Sequence, residues 1–125
     1  MQIIKSPHDI YNLTQQWRHG NQPIGFVPTM GALHDGHAAL IRAAREIAGP
    51  NGNVGVSIFV NPLQLGPGED LAKYPRTLIE DLSLCRDNGA DMIFAPKAEE
   101  LYPPDRSIVL TETSLSQRLC GASRP

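Results

Sequence analysis

The amino-acid sequence predicts an α/β fold in which one parallel β-sheet is flanked by helices. Short apolar runs alternate along the chain with segments whose apolar residues recur at helical spacing, and turns rich in glycine and proline separate them. The run VGVSIFV, Val54 to Val60, is rich in β-branched residues, as expected for a central strand that is covered on both faces. Strands that alternate with helices form right-handed crossovers, so we expect a Rossmann-like layered domain.

The amino-terminal part predicts a strand, a helix and a second strand. MQIIKS begins with a short apolar strand. A helix should follow at once, because Ser6 is a good cap, Pro7 suits the first turn and Asp9 is favoured at the positive end of the helix dipole. We expect this helix to reach about Trp17. IGFVP, Ile24 to Pro28, then has the composition of a brief buried strand.

A second helix is predicted from about Asp35 to Ile47. Its apolar residues fall on one face at helical spacing: Leu40, Ala43, Ala44 and Ile47. Arg42, Arg45 and Glu46 are then expected mostly outside. The turn GPNGN leads into the strand VGVSIFV.

The carboxyl-terminal half predicts one more helix and one more strand before the pattern weakens. Thr77 is a good cap for a helix that ends near Gly89, and ADMIFAP is the strand that follows. The apolar positions of this helix are Leu78, Leu82, Leu84 and Cys85. Beyond Pro96, EELYPP predicts one helical turn, SIVLTE an edge strand and SLSQRL a short helix.

Composition fits one ordinary globular domain and argues against several classes of protein. The chain has 125 residues, 41% of them hydrophobic, and a formal net charge of -2, so a second full domain does not fit. The 11 basic and 13 acidic residues are interspersed, and we therefore expect no nucleic-acid partner. No apolar run approaches the roughly 20 residues of a membrane span, and the amino terminus lacks a signal pattern. We expect a cytoplasmic protein without a membrane partner, in which Cys85 and Cys120 are reduced thiols.

The turn VPTMGALHDGH, Val27 to His37, is the strongest candidate for a functional site. In open α/β sheets, ligands bind at the carboxyl ends of strands, where helix amino termini favour anions. Gly31 and Gly36 would allow the backbone to approach a ligand closely. His34 and His37 can donate charge-assisted hydrogen bonds to phosphate oxygens, and such bonds stabilise a transition state that gains negative charge. Spacing alone favours a phosphate-binding turn.

Two other interpretations of the histidine pair remain open at this point. The pair could be part of a metal site, although no third ligand of suitable type lies near in sequence. It could also be structural, capping the helix and packing against the sheet. Neither GxxxxGK followed by Ser or Thr nor GxGxxG occurs in the chain, so the usual nucleotide-binding loops do not explain the turn.

The longer strings carry a family resemblance. HDGH is similar to the HIGH motif of the nucleotidyltransferase superfamily. VPTMGALHDGH, VSIFVNPLQ, YPRTLIEDL, FAP, LYP and LCGASRP, in this order and spacing, resemble the pantothenate synthetase family, the pantoate–β-alanine ligases of coenzyme A biosynthesis. The resemblance covers nearly the whole chain. It implies that pantoate and Mg-ATP give pantoyl adenylate and pyrophosphate, and that β-alanine then attacks the adenylate to give pantothenate and AMP.

The resemblance also implies the roles of individual residues. His34 and His37 would be catalytic and bind the phosphates, with His37 as the acid. The residues that bind ATP would be Pro28, Thr29, Met30, Gly31, Ala32, Leu33, His34, Asp35, Gly36 and His37. Those that bind pantoate and β-alanine would be Gln64, Met30, Asn61 and Tyr74. ATP would bind with Mg²⁺ as a substrate complex, with no protein-held metal and no tightly bound cofactor.

The chain departs from the family pattern in three places, one of which is the turn GPNGN, longer than the usual link into the strand. Leu65 stands where the family usually has phenylalanine, which changes the packing under pantoate. Family members continue beyond GASRP into a phosphate loop and a small carboxyl-terminal domain that closes over ATP. We therefore expect residues 1–125 to form a single Rossmann-like ATP- and pantoate-binding domain without that lid, with little or no ligase turnover alone.

The resemblance further implies a homodimer, and two alternative functions stay open. The first is a non-catalytic fragment that dimerises or binds nucleotide. The second is another HIGH-motif nucleotidyltransferase, such as a phosphopantetheine adenylyltransferase, although the string NPLQ argues against it.

Overall fold

A computed structural model of the chain describes residues 1–64, 77–105 and 107–118. Within these ranges, four strands alternate with four helices, so the predicted α/β architecture is confirmed. The elements are β1 (Gln2–Ile4), α1 (Pro7–His19), β2 (Ile24–Thr29), α2 (Asp35–Ala48), β3 (Asn53–Ile58), α3 (Leu78–Asp87), β4 (Met92–Phe94) and α4 (Ala98–Leu101). No helix in the described ranges is long and apolar enough to cross a membrane.

The sheet is parallel throughout, with the strand order β1-β4-β3-β2. β3 pairs with β2 on one side and with β4 on the other, so the prediction that VGVSIFV is a central strand is confirmed. Residues 54–57 of β3 are buried. The strand ends at Ile58, two residues before the predicted Val60, where the chain turns towards the site described below.

The hydrophobic core lies between the sheet and helices α2 and α3. Its buried members are Val27, Ile41, Ala48, Val54, Val56, Cys85, Ala90 and Ile93. Cys85 is a free thiol within this core, as predicted, and Cys120 lies outside the described residues. On the other face of the sheet, α1 borders an apolar groove of about 670 Å³ whose walls include Trp17, Phe26 and Phe94. Two helices therefore complete the core on one face, while α1 lies along the other.

Helix α2 packs on the sheet with a different face from the one predicted. Ile41 is fully buried, whereas Leu40 is 56% exposed and Ile47 is 86% exposed. Arg45, which was expected mostly outside, donates hydrogen bonds to the Gly89 and Gly52 carbonyl oxygens and forms an ion pair with Asp91. These bonds are compatible with the observed rotation of α2, which buries Ala38, Ile41 and Ala48.

The helix caps confirm one prediction and correct another. Ser6 caps α1 as predicted, since its Oγ accepts the N–H of Asp9 at 3.3 Å, and α1 continues two residues past the predicted Trp17. Thr77 precedes α3 as predicted, but its side chain makes no cap bond to the helix backbone. Its hydroxyl instead donates to Asp81 Oδ1 at 3.2 Å, which removes it from the capping role.

Beyond β4, the structure confirms the one helical turn and contradicts the two later elements. The turn is α4, as EELYPP predicted. Residues 107–112 form no strand, and Ile108, Val109 and Leu110 are each more than 70% exposed, because no strand in the described ranges pairs with them. Residues 114–118 form turns rather than a helix, since the Glu112 carboxylate accepts the N–H groups of Ser114 and Ser116.

Candidate functional site

The predicted site residues meet at the carboxyl ends of β2 and β3. A cavity of about 500 Å³ opens there, between the two strand ends and the first turn of α2. Its lining residues are Pro28, Thr29, Met30, Gly31, His37, Ser57, Phe59, Asn61 and Gln64. Seven of the predicted site residues are therefore in one wall. Ala32, Leu33, His34, Asp35 and Gly36 belong to the adjoining turn without lining the cavity, and Leu65 and Tyr74 lie outside the described residues.

The turn after β2 has a backbone conformation that explains its glycine. Gly31 has φ +86° and the next residue, Ala32, has φ +51°, both in the region that L side chains rarely adopt. A side chain on Gly31 would also meet Asp81 Oδ2 and Ile58 Cγ2, each 3.2 Å from an added Cβ. Thr29 supports the entry to the turn, because its hydroxyl donates to the Ser57 carbonyl oxygen at 2.7 Å.

Asp81 holds this turn, and it was not predicted as a site residue. The side chain is only 3% exposed, and its two oxygens accept the backbone N–H groups of Leu33 at 2.7 Å and Ala32 at 3.0 Å. A signal was present in the sequence. Asp81 lies four residues before the core residue Cys85, on the apolar face of the predicted helix, and a buried carboxylate needs hydrogen-bond donors.

The two histidines cap α2 reciprocally. His34 Nδ1 accepts the Gly36 N–H at 3.1 Å, and His37 Nδ1 accepts the His34 N–H at 3.3 Å. The ring centroids are 4.2 Å apart. A ring nitrogen that accepts a hydrogen bond carries no proton, so each neutral ring has its proton on Nε2 and offers an Nε2–H donor. The structural interpretation of the pair and the phosphate-binding one are thus compatible, because capping uses Nδ1 and leaves the other nitrogen as donor.

The electrostatic surroundings keep His37 neutral. Burial lowers the pKa of His37 below its ordinary value, the neighbouring His34 lowers this pKa further, and the charge of Asp81 raises it in part. The positive end of α2 also disfavours an imidazolium at this position. Charge-assisted bonds were expected from the histidines, whereas the lowered pKa of His37 favours a neutral N–H donor at that residue.

Asn61 lies at the other end of the cavity and is fixed by two neighbours. Its Oδ1 accepts the Leu63 N–H at 3.1 Å and the Tyr102 hydroxyl at 3.1 Å. Tyr102 comes from the string LYP and was not predicted as a site residue. Gln64 follows in the same turn, where its N–H donates to the Asn61 carbonyl oxygen, and its side chain is exposed at the rim of the cavity.

A second cavity, of about 310 Å³, shares Met30 and Gly31 with the first and is bordered by Thr77 and Asp81. Met30 and Gly31 therefore border both cavities. Among the described residues, no group of three or more His, Cys, Asp or Glu side chains is arranged to hold a metal ion.

Comparison with known proteins identifies the relatives of the chain. The model of the family described as pantoate-beta-alanine ligase matches residues 2–125. The chain is 46% identical over 125 residues to the pantothenate synthetase of Ruminiclostridium cellulolyticum and 48% identical to that of Thermotoga petrophila. All of this chain is covered, but only 43% and 44% of those relatives, so the chain spans less than half of their length.

Solved structures show the same relationship. The pantothenate synthetase of Thermus thermophilus superposes with a TM-score of 0.78 at 41% identity, over 100% of this chain and 43% of that one. The pantoate-beta-alanine ligase of Francisella tularensis, complexed with beta-gamma ATP and beta-alanine, gives a TM-score of 0.85 at 37% identity, over 100% of this chain and 47% of that one. The fold predicted from the sequence is therefore also the fold of these enzymes.

Proposed function

The chain belongs to the pantoate–β-alanine ligase family, and from this premise we propose that it binds ATP and pantoate for a ligase that makes pantothenate through a pantoyl adenylate. The observation that carries the proposal is the 500 Å³ cavity, whose wall includes Met30, His37 and Gln64. The Francisella relative, solved with an ATP analogue and β-alanine, supports the same substrate class.

ATP, as its Mg²⁺ complex, binds along the turn from Pro28 to His37. The Nε2–H groups of His34 and His37 donate to its phosphate oxygens, and these bonds strengthen as charge develops on the departing pyrophosphate. A neutral imidazole suits this step, because it can cap the helix through Nδ1 and donate through Nε2–H at the same time. His37 lines the cavity, whereas His34 does not.

Pantoate and then β-alanine occupy the end of the cavity near Asn61 and Gln64, with Tyr74 at its edge and the Met30 backbone beside the reacting phosphate. The amide of Gln64 can both donate to a carboxylate and accept from hydroxyls, which matches the two kinds of group on pantoate. The oxygen of Asn61 is already bonded within the protein, so its NH₂ group is the part that serves a ligand.

We assign substrate binding to residues 1–125 as one domain and turnover to the longer polypeptide, because the relatives are more than twice as long as this chain. An acyl adenylate needs a site closed to water, which the longer relatives have more chain to provide. We also propose a cytoplasmic homodimer. Its support is the apolar surface left uncovered within the described residues, where Phe26 is 59% and Ile47 is 86% exposed.

Calorimetric titration of the 125-residue chain with pantoate and Mg-ATP tests the proposal. We expect binding that His37→Ala abolishes and that His19→Ala leaves unchanged, since His19 lies at the far end of α1. Equal binding by both variants, or none by the parent chain, would contradict the proposed site. Exchange of pyrophosphate into ATP that does not depend on pantoate would favour a different nucleotidyltransferase.

A further inference from the structure

We propose that Asp81 is a positioning residue for the nucleotide-binding turn, in which its carboxylate fills the backbone concavity formed by Ala32 and Leu33 and thereby fixes the direction of the histidine cap. The proposal rests on the proposed function only in taking this turn as the nucleotide site.

The concavity has the shape of a backbone anion site. Successive N–H groups converge in certain turn conformations, and such a nest binds anions. Here Gly31 and Ala32 have positive φ, and the N–H groups of Ala32 and Leu33 both point at one carboxylate. The anion in the nest is therefore a side chain of the protein and not a phosphate group.

Asp81 is itself held in place, which makes the contact a rigid one. The Thr77 hydroxyl donates to Oδ1, and the Asp81 N–H bonds to the Thr77 carbonyl oxygen at 2.8 Å in the first turn of α3. Both oxygens thus have donors within the protein. Asp81 acts by positioning the turn, because each of its carboxylate oxygens already accepts a hydrogen bond from the protein.

The position of the turn decides where the histidines lie. Leu33 packs against the core, and the next residue, His34, is the cap from which α2 begins. With the N–H groups of Ala32 and Leu33 occupied by Asp81, the phosphates meet the imidazole donors and not these two backbone groups. Without the carboxylate, Ala32 has no compensation for its φ of +51° and the turn relaxes.

The test compares Asp81→Asn with Glu80→Gln in the 125-residue chain. Asparagine keeps the size of the side chain but turns an NH₂ group towards one of the two N–H donors. Glu80 is the exposed neighbour on the same helix, so its variant removes one negative charge without breaking these bonds. Three quantities are measured by NMR: the amide shifts of Ala32 and Leu33, the pKa of His37 and the affinity for Mg-ATP.

For Asp81→Asn we expect the two amide resonances to move, and Mg-ATP to bind about tenfold more weakly, as for the loss of one charge-assisted hydrogen bond. The pKa of His37 should fall, because the Asp81 charge raises it in the parent chain. That fall follows from the lost charge alone, so the amide resonances and the affinity are the readouts of positioning. Glu80→Gln should leave all three quantities as in the parent.

The outcomes separate this inference from the proposed function. A parent chain that does not bind Mg-ATP contradicts the proposed function, and the amide shifts of Ala32 and Leu33 then decide the role of Asp81. Unchanged amide shifts in Asp81→Asn overturn the inference, whatever the His37 pKa. If that variant does not fold, the test uses Thr77→Val, which removes the hydrogen bond from the Thr77 hydroxyl to Asp81 and leaves the carboxylate charge in place. Ala32 and Leu33 amides that do not move in Thr77→Val overturn the inference equally.

Discussion

Replacement of Arg45 by alanine is predicted to destabilise the fold more than any other removal of a single arginine from α2. The guanidinium connects three parts of the chain near the amino-terminal ends of the strands. It donates to the Gly89 carbonyl oxygen at 2.9 Å and the Gly52 carbonyl oxygen at 2.9 Å, and it forms an ion pair with Asp91. Asp91 in turn accepts the Val54 N–H at 2.7 Å, so the pair is linked to the first residues of β3.

The magnitude follows from the number of bonds and their exposure. A hydrogen bond to a charged group contributes about 1.5 to 3 kcal/mol when it is fully protected from water. The side chains of Arg45 and Asp91 are 29% and 43% exposed, so water replaces part of what is lost and the ion pair is screened. We therefore expect Arg45→Ala to lower the free energy of unfolding by about 2 to 3 kcal/mol, with the contacts of the arginine stem included.

Arg42 provides the matched control on the same helix. Its guanidinium donates to Asn88 Oδ1 in a hydrogen bond that is exposed to solvent, so Arg42→Ala should cost less than about 1 kcal/mol. Urea unfolding followed by circular dichroism at 222 nm measures both variants, and the difference should appear as a fall in midpoint with little change in slope. A loss in Arg45→Ala that lies within about 0.5 kcal/mol of the loss in Arg42→Ala would refute the reasoning, because only the network at Arg45 distinguishes the two.

Three further predictions use the same chain. Ile41→Ala should lower the free energy of unfolding by about 2 to 5 kcal/mol, because Ile41 is fully buried. Leu40→Ala should lower it by less than about 1 kcal/mol, because Leu40 is 56% exposed. Equal losses in urea unfolding would contradict the observed rotation of α2. The NMR titration midpoint of His37 should lie below 6.5, because burial lowers its pKa. Because the folded-state pKa is the lower one, the unfolded chain binds more protons at His37 than the folded chain does. The contribution of His37 to the free energy of unfolding is therefore complete above pH 6.5 and is lost as the pH falls through the folded-state pKa. A midpoint above 6.5 would reverse this pH dependence. Cys85 should resist thiol reagents at pH 8 until the chain unfolds, because burial raises its pKa to about 11, and labelling of Cys85 in the native chain, located by peptide mapping, would oppose this.

The central strand β3 could be predicted from the sequence, because a strand that is buried on both faces has an almost wholly apolar composition. Val54 and Val56 lie in a run with almost no polar residues, and β3 is central as that run predicted. The segment 107–112 has a similar apolar run but no partner strand among the described residues. Apolar composition therefore predicted the strand only where neighbouring strands were present to pair with it.

The rotation of α2 and the contacts of Asp81 were not predicted, for a common reason. In each case one charged side chain is held by bonds to residues more than 40 positions away in sequence, Arg45 to Gly89 and Asp81 to Ala32 and Leu33. A helical periodicity that treats charged residues as exterior assigns such side chains to solvent. The histidine turn was found because its residues are adjacent in sequence. The partners that hold it were not.

The pairing of β1 with β4 has a consequence for the order in which the chain folds. Gln2 pairs with Met92, so β1 meets its partner only after about 90 further residues have been made. β2, α2 and β3 are joined by short connections and can assemble early, since loops of this length close readily. β1 and α1 join this nucleus only later. Until then, the apolar side chains of β1 are exposed and can bind chaperones or other nascent chains.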